Sequence, residues 1–227
     1  MVKRFYKAVT TEARGDHHCV LLDGRVLKTP GKADLKIGNA DHAALIAAEW
    51  DAQADEVVPA DMPLTRLMNV ACERTPKMRD GLVDEACNYA RTDLLCYRDD
   101  TPEELVARQT ELWEPWLVWA RGQGIDLKST QSLIAIDQDE NSIGALADVA
   151  REFADLPLTL LVHYTAVFGS AVLALATIQG ALAAEAAYDL SRLSAAFQAE
   201  RWGEDEEAAE IAAALRAELI ALSQLIN

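Results

Sequence analysis

Val20-Leu21-Leu22-Asp23-Gly24-Arg25-Val26-Leu27 decides the character of the N-terminal region. Two short runs of strand-forming residues flank Asp-Gly, a dipeptide that supplies the positive φ of a two-residue hairpin turn. Upstream, Phe5 to Val9 also carries strand-forming residues; downstream, Pro30-Gly31 ends the hairpin and Leu35-Lys36-Ile37 can add a short edge strand. The first forty residues are therefore predicted to be β.

From Asp41 the period changes from two to about 3.6. Asp41 is predicted to cap a helix carrying Leu45, Ile46, Glu49, Trp50 and Gln53 at three- and four-residue spacing. Pro59 and Pro63 punctuate a loop, and Leu64–Arg74 makes a helix that stops before Pro76. Gly81–Tyr97 has one apolar stripe through Leu82, Ala86, Leu94 and Tyr97. Thr101 is predicted to cap a helix opened by Pro102, kinked by Pro115 and broken at Gly122 and Gly124. Further helices are expected at Ser142–Ala154, Pro157–Leu182, Ala184–Arg201 and Asp205–Ile226. The last carries Ile211, Leu215, Leu219, Leu222 and Ile226 on one stripe. Leu133-Ile134-Ala135-Ile136 is strand-like and could rejoin the N-terminal sheet. The fold class is thus α+β: a small N-terminal α+β module, residues 1–80, followed by a larger helical domain, residues 81–227.

Charge divides the chain in the same sense. Residues 1–40 hold eight Lys/Arg against four Asp/Glu, and the remainder thirteen against thirty-three, within a net charge of −16 over 227 residues. An acidic body repels nucleic acid and anionic lipid, so neither is expected as a partner. The apolar stretch Leu156–Leu182 contains His163, Thr165, Ser170 and Gln179 and lacks Lys/Arg at its ends. It reads as a core helix with Pro157 in its first turn; no membrane insertion is expected. Met1-Val2-Lys3-Arg4 runs straight into structural pattern without a signal or transit peptide, which points to the cytoplasm. Cys19, Cys72, Cys87 and Cys96 form no Cys-x-x-Cys pair. On one continuous helix Cys87 and Cys96 would face opposite ways, so all four are expected as free thiols.

Catalytic signatures are missing. There is no Gly-x-Gly-x-x-Gly, no Gly-x-Ser-x-Gly, and the Gly24–Lys32 stretch has six residues between its glycines where a phosphate loop needs four. The histidines His17, His18, His42 and His163 lack Glu three residues earlier and form no His-Glu-x-x-His. No metal and no cofactor is therefore expected. One carboxylate set could do chemistry: Glu85 and Asp93 on one helical face, in which case the protein would be a small-molecule enzyme using them in a cleft. The structural reading of Asp93 is a part-buried acid paired to Arg91 or Arg98.

Two features fit protein binding. Trp113, Trp116 and Trp119 drift around a helix face, so at least one edge can reach solvent; core packing is the other reading. Trp202-Gly203-Glu204-Asp205-Glu206-Glu207 is a helix break followed by a helix start. Four consecutive acids beside a Trp exceed what capping requires. The chain could accordingly also be a generic acidic interaction module.

Several segments, in order, resemble one known family. These are Arg4-Phe5-Tyr6-Lys7, Leu22-Asp23-Gly24-Arg25-Val26-Leu27-Lys28-Thr29-Pro30, Glu49-Trp50-Asp51-Ala52-Gln53, Met62-Pro63-Leu64-Thr65, Thr92-Asp93-Leu94-Leu95-Cys96-Tyr97-Arg98 and Trp202-Gly203-Glu204-Asp205-Glu206-Glu207-Ala208. The set is similar to the assembly chaperones for the α subunit of the F-type ATP synthase catalytic head. That resemblance implies a small α+β region before a helical region, no catalysis, and the unassembled α subunit as partner. It also implies an important acid in the C-terminal helical region, which points to Trp202, Glu204, Asp205 and Glu206 as partner-binding residues.

Overall fold

The computed structural model describes residues 2–132, 134–203 and 205–226. Its contacts divide the chain into two units, one running to Met78 and taking in the chain end from Gln224, the other Arg79–Ser223.

In the first unit, β1 (Val2–Lys3) pairs antiparallel with β5 (Glu56–Val57). A second sheet has the order β2 (Val9–Arg14), β3 (His17–Leu22), β4 (Arg25–Val26), all antiparallel. The Asp-Gly turn forms as expected: Asp23 and Gly24 have φ of 48° and 77°, and Leu22 faces Arg25. Cys19, Val20, Leu21 and Leu22 are all buried, a continuous run where a one-faced strand would alternate. Phe5–Ala8 is not a strand. The strand begins at Val9, and Thr10-Thr11-Glu12-Ala13-Arg14 escaped the sequence reading because its residues are mostly exposed and carry no apolar alternation. The missed signal was Gly15, at φ 64°, turning β2 into β3. Ile37 bridges to His18 and Leu27 accepts from Leu35, so the 35–37 run does line the sheet, as isolated bridges.

Helix α1 (Ala40–Asp51) packs on β2 and β3, and α2 (Pro63–Glu73) on α1. The cap of α1 is Asn39, whose side chain accepts from the His42 amide at 2.8 Å, two residues before the predicted Asp41. The N-terminus of α2 is held from outside: Glu49 accepts from the Leu64 amide at 2.7 Å, the Thr65 amide at 2.8 Å and the Thr65 hydroxyl at 2.7 Å. Burial pushes the Glu49 carboxyl above its ordinary range while these three donors pull it back. Helix α3 (Thr75–Arg91) crosses the division between units at Met78, whose φ of −129° and ψ of 17° are non-helical.

The second unit contains the rest of α3, then α4 (Glu103–Gly122), α5 (Glu140–Glu152), α6 (Asp155–Phe168), α7 (Ala171–Ile178), α8 (Ala184–Ser191), α9 (Leu193–Trp202) and α10 (Glu206–Ser223). Helix α7 lies at its centre, buried from Ala171 to Thr177 and packed on α4, α6 and α8. Several predicted boundaries shift. Gly81–Tyr97 is not one helix: α3 ends at Arg91, and Leu94–Cys96 is a separate 3₁₀ turn capped by Asp93. Cys87 and Cys96 thus do not share a helix, yet all four thiols are free. Pro102 is the N-cap position and not the first turn, and α4 runs on through Pro115. Ile134–Ile136 forms no strand, and Leu133 lies outside the described residues. The pairing there is a parallel bridge between Tyr97 and Thr130. Ala184–Arg201 is two helices that meet at Arg192.

The predicted core helix Pro157–Leu182 is also two helices. Gly169, at φ 65°, ends α6, and Ser170 caps α7 by accepting from the Leu173 amide at 3.1 Å. This break buries the start of α7, whose free amides water cannot reach. Asp93, fully buried, supplies the acceptor: one oxygen takes the Leu95 amide at 3.0 Å, the other the Val172 amide at 3.1 Å, and the Ser170 hydroxyl donates as well. Its own neighbour Leu94 donates to the Gly169 carbonyl at 2.9 Å. Arg91 and Arg98, the partners expected for Asp93, instead bind Glu140 and Glu114. Burial lifts the Asp93 carboxyl to about 6, against the hydrogen bonds that lower it.

Two outcomes test these carboxylates. Asp93→Ala leaves buried donors without an acceptor and is expected to cost roughly 2–4 kcal/mol in chemical denaturation, whereas Glu49→Ala, which strips one part-buried helix start, is expected to cost about 1–2 kcal/mol. The Asp93 carboxyl is raised above its unfolded value near 3.9, so its stabilising contribution is complete below that pH and is lost as pH climbs through about 6. The melting advantage of the wild type over Asp93→Asn should therefore shrink between about pH 4 and pH 6; a pH-independent difference contradicts the assignment.

Candidate protein-binding surface

Of the partner-binding residues predicted from sequence, Asp205 and Glu206 lie at the start of α10, and Trp202 ends helix α9. Its one buried side chain, Phe197, lies between the guanidinium groups of Arg201 at 4.3 Å and Arg108 at 5.1 Å. Glu104 binds Arg201 at 2.6 Å and Arg108 at 3.0 Å, and Arg108 also reaches Glu200 at 2.9 Å. This network ties α9 to α4 along one face only. The Glu104 carboxyl, hydrogen-bonded by Arg201, is held below the usual carboxylate range.

At the end of α9 the chain turns at Gly203, with φ 90° and ψ 161°, a conformation that an L side chain would strain; its amide still donates to Ala199 at 3.0 Å. Asp205 then caps α10: its carboxylate accepts from the Ala208 amide at 2.9 Å and its carbonyl from Ala209 at 2.9 Å. Glu206 and Glu207 stand in the first turn, exposed, and no ion pair satisfies them among the described residues. Trp202 is 77% exposed. Glu204 lies outside the described residues.

A cleft of about 470 Å³ opens beside this turn, lined on one side by Ala195, Ala199 and Trp202 and on the other by Asp205, Ala208 and Ala212. Tyr188 of α8 sits at its base and donates to the Ala212 carbonyl at 3.2 Å. The predicted apolar stripe of α10 is only half used. Leu219 and Leu222 are buried, and the Leu219 carbonyl accepts from Tyr164 at 3.0 Å, but Ile211 is 64% exposed. The first turns of α10 therefore leave Ile211 in solvent, and it is Ala208, Ala209 and Ala212 that share the cleft with Trp202.

The structure brings Trp202 and Asp205 to the lip of one cleft, with Glu206 next in the chain in the first turn of α10, and gives Asp205 a backbone duty there. It does not bring Asp93 and Glu85 together. Asp93 is enclosed and its oxygens are spent on backbone and hydroxyl donors, whereas Glu85 is exposed. Among the described residues no three His, Cys, Asp or Glu side chains gather as a metal site, and no helix is long and apolar enough to cross a membrane. Trp113 is core, donating to the Leu190 carbonyl at 3.0 Å, while Trp116 and Trp119 are half-buried with ring centres 6.4 Å apart.

Most of the motif residues quoted above have structural work. Arg4 donates to the Asp51 carbonyl and Tyr6 to the Trp50 carbonyl at 2.7 Å, Gln53 accepts from Val58 at 2.7 Å, and Glu49 holds Leu64 and Thr65. Asp23 grips the Lys7 and Ala8 amides at 3.0 and 2.8 Å, which lowers its carboxyl. Of the large apolar side chains in those motifs, only Trp202 and Phe5 are left exposed.

Comparison with known proteins supports the fold and gives the family. A family model described as ATP12 chaperone protein matches residues 3–121. The mitochondrial protein atp12 of Schizosaccharomyces pombe is 26% identical over 222 residues, covering 92% of this chain and 76% of that protein. The solved structure of Atp12 from Paracoccus denitrificans matches with a TM-score of 0.92 at 37% identity, over 99% of this chain and 97% of that one. A variant of the same protein with one aspartate changed to lysine gives the same score and identity, over 99% and 96%. The Atu1473 protein of Agrobacterium tumefaciens matches with a TM-score of 0.92 at 36% identity, over 99% and 84%. The chain is a member of the ATP12 chaperone family.

Proposed function

We propose that this chaperone binds the unassembled α subunit of the F-type ATP synthase, covers surface that later meets the β subunit, and contacts the α subunit partly through the Trp202 lip. The observation that carries the lip assignment is the 77% exposure of Trp202, next to two acids with no ion pair among the described residues, in a chain whose other motif residues are largely spent on its own fold. Tryptophan is among the residues that dominate binding interfaces, and solvent exposure of its ring in the free chain is costly unless a partner takes it.

An unassembled subunit exposes apolar surface meant for its neighbours, and a holder that shields it suppresses aggregation. Such a holder needs an apolar anchor, charge for orientation and a footing that does not move. Trp202 is the anchor, Glu206 and Glu207 orient a basic client surface, and the Arg108–Glu104–Arg201 network fixes the helix beneath them.

Capture of the purified α subunit on the immobilised chaperone tests this. Glu206→Lys and Trp202→Ala are expected to keep the wild-type melting temperature and weaken capture at least about tenfold. Asp205→Lys is expected to lower both stability and capture, since it also removes the α10 cap. Normal capture by Glu206→Lys and Trp202→Ala places the contact elsewhere.

A further inference from the structure

Phe5, the other exposed motif side chain, stands at a groove in the first unit. It is 66% exposed and meets Tyr6 edge-on at 5.3 Å, and Tyr6 in turn meets Trp50 at 5.6 Å, so three rings form one aromatic wall. The groove has a volume of about 510 Å³, and Leu22, Val26 and Leu27 line it along with these rings. Nothing in the Trp202 lip or its proposed role uses this surface.

Three observations describe what would fill it. The first is a free sheet edge. Leu22 and Arg25 close the two-residue turn and exchange both ladder hydrogen bonds, so the next pair, Leu21 and Val26, is a non-bonded one. Val26 consequently turns its own N–H and C=O outward from β3, and among the described residues no other backbone group takes them. The second is a donor without an acceptor. The indole N–H of Trp50 is buried and has no partner among the described residues, a state that costs free energy unless a ligand supplies the oxygen. The third is charge. Of the charged residues lining the groove, Asp23 is occupied by the Lys7 and Ala8 amides and Lys28 is paired with Asp34, whereas Arg25 is exposed with no ion pair among the described residues. It belongs to the forty-residue segment with eight basic and four acidic side chains.

We infer that this groove is a second binding site, which takes an extended peptide segment with alternating apolar and acidic side chains as an added strand along β4. The main chain of the segment pairs with Val26, an apolar side chain enters the aromatic wall, and a carboxylate meets Arg25. A carbonyl of the same segment accepts from Trp50. Strand addition of this kind obtains affinity from main-chain bonds and selectivity from alternate side chains. A helix offers no free main-chain groups to Val26, and a basic segment is repelled by Arg25.

The test uses the full chain, two synthetic hexapeptides and no α subunit, so its outcome is independent of the Trp202 assignment. One peptide, acetylated and amidated, reads Gly-Phe-Glu-Phe-Glu-Gly; the other has lysine in place of both glutamates. The five indole N–H signals of the ¹⁵N-labelled protein are recorded, with Trp50→Phe identifying that of Trp50. The acidic peptide is expected to move the Trp50 signal downfield and leave that of buried Trp113 in place. Arg25→Glu and Phe5→Ser, both at exposed positions, are each expected to weaken binding at least about tenfold with the melting temperature unchanged. Glu206→Lys should bind the peptide normally. A stationary Trp50 signal, equal binding of the lysine peptide, or undiminished binding by Arg25→Glu overturns the inference.

Discussion

A buried carboxylate at the head of a buried helix is the constraint on which the helical unit depends. The chain ends α6 at Gly169 and restarts at Ser170 inside the core, which leaves the first amides of α7 out of reach of water. Asp93 resolves this by accepting from Val172 and Ser170 as well as from Leu95, and so joins the 3₁₀ turn that follows α3 to the centre of the bundle. Desolvation of the acid is the cost, visible in a carboxyl raised to about 6. Removing the acid leaves several donors unmet at once, so the break between α6 and α7 and the identity of residue 93 are one design.

The first unit repeats the device. Glu49, near the end of α1, receives the two amides and the hydroxyl at the start of α2, and Asp23 receives two amides of the segment entering β2. In each case an acid from one element satisfies the backbone of another, so local sequence and long-range packing are specified together. This accounts for the spread of the family likeness over short, separated motifs. Glu49 and Met62–Thr65 are two halves of one contact, as are Tyr6 and Trp50.

What the sequence made legible follows from the same physics. The Asp23-Gly24 hairpin was readable because positive φ at two successive residues leaves few residue types, and the helices of the second unit were readable from their apolar period. Strand β2 was not, since its side chains are exposed and its pairing lies in the backbone. The division of Pro157–Leu182 into two helices was not readable either, because an all-apolar run gives no period to lose and the decisive residue, Asp93, lies more than seventy positions away. Of the candidate site, Trp202, Asp205 and Glu206 were legible as an excess of acid beside an aromatic ring. The capping duty of Asp205 needed coordinates, as did the groove at Phe5, whose Val26 edge and Trp50 N–H have no sequence signature.

The functional account rests on a contrast between side chains consumed by the fold and side chains left in solvent. Amide hydrogen exchange on the chain, alone and with the isolated α subunit of the ATP synthase, measures that contrast directly. Slower exchange across residues 196–212 in the complex, with the Asp93–Leu95 amides unchanged because they are already protected, is the result this account predicts. Protection confined to other segments, with residues 196–212 exchanging as in the free chain, would contradict it.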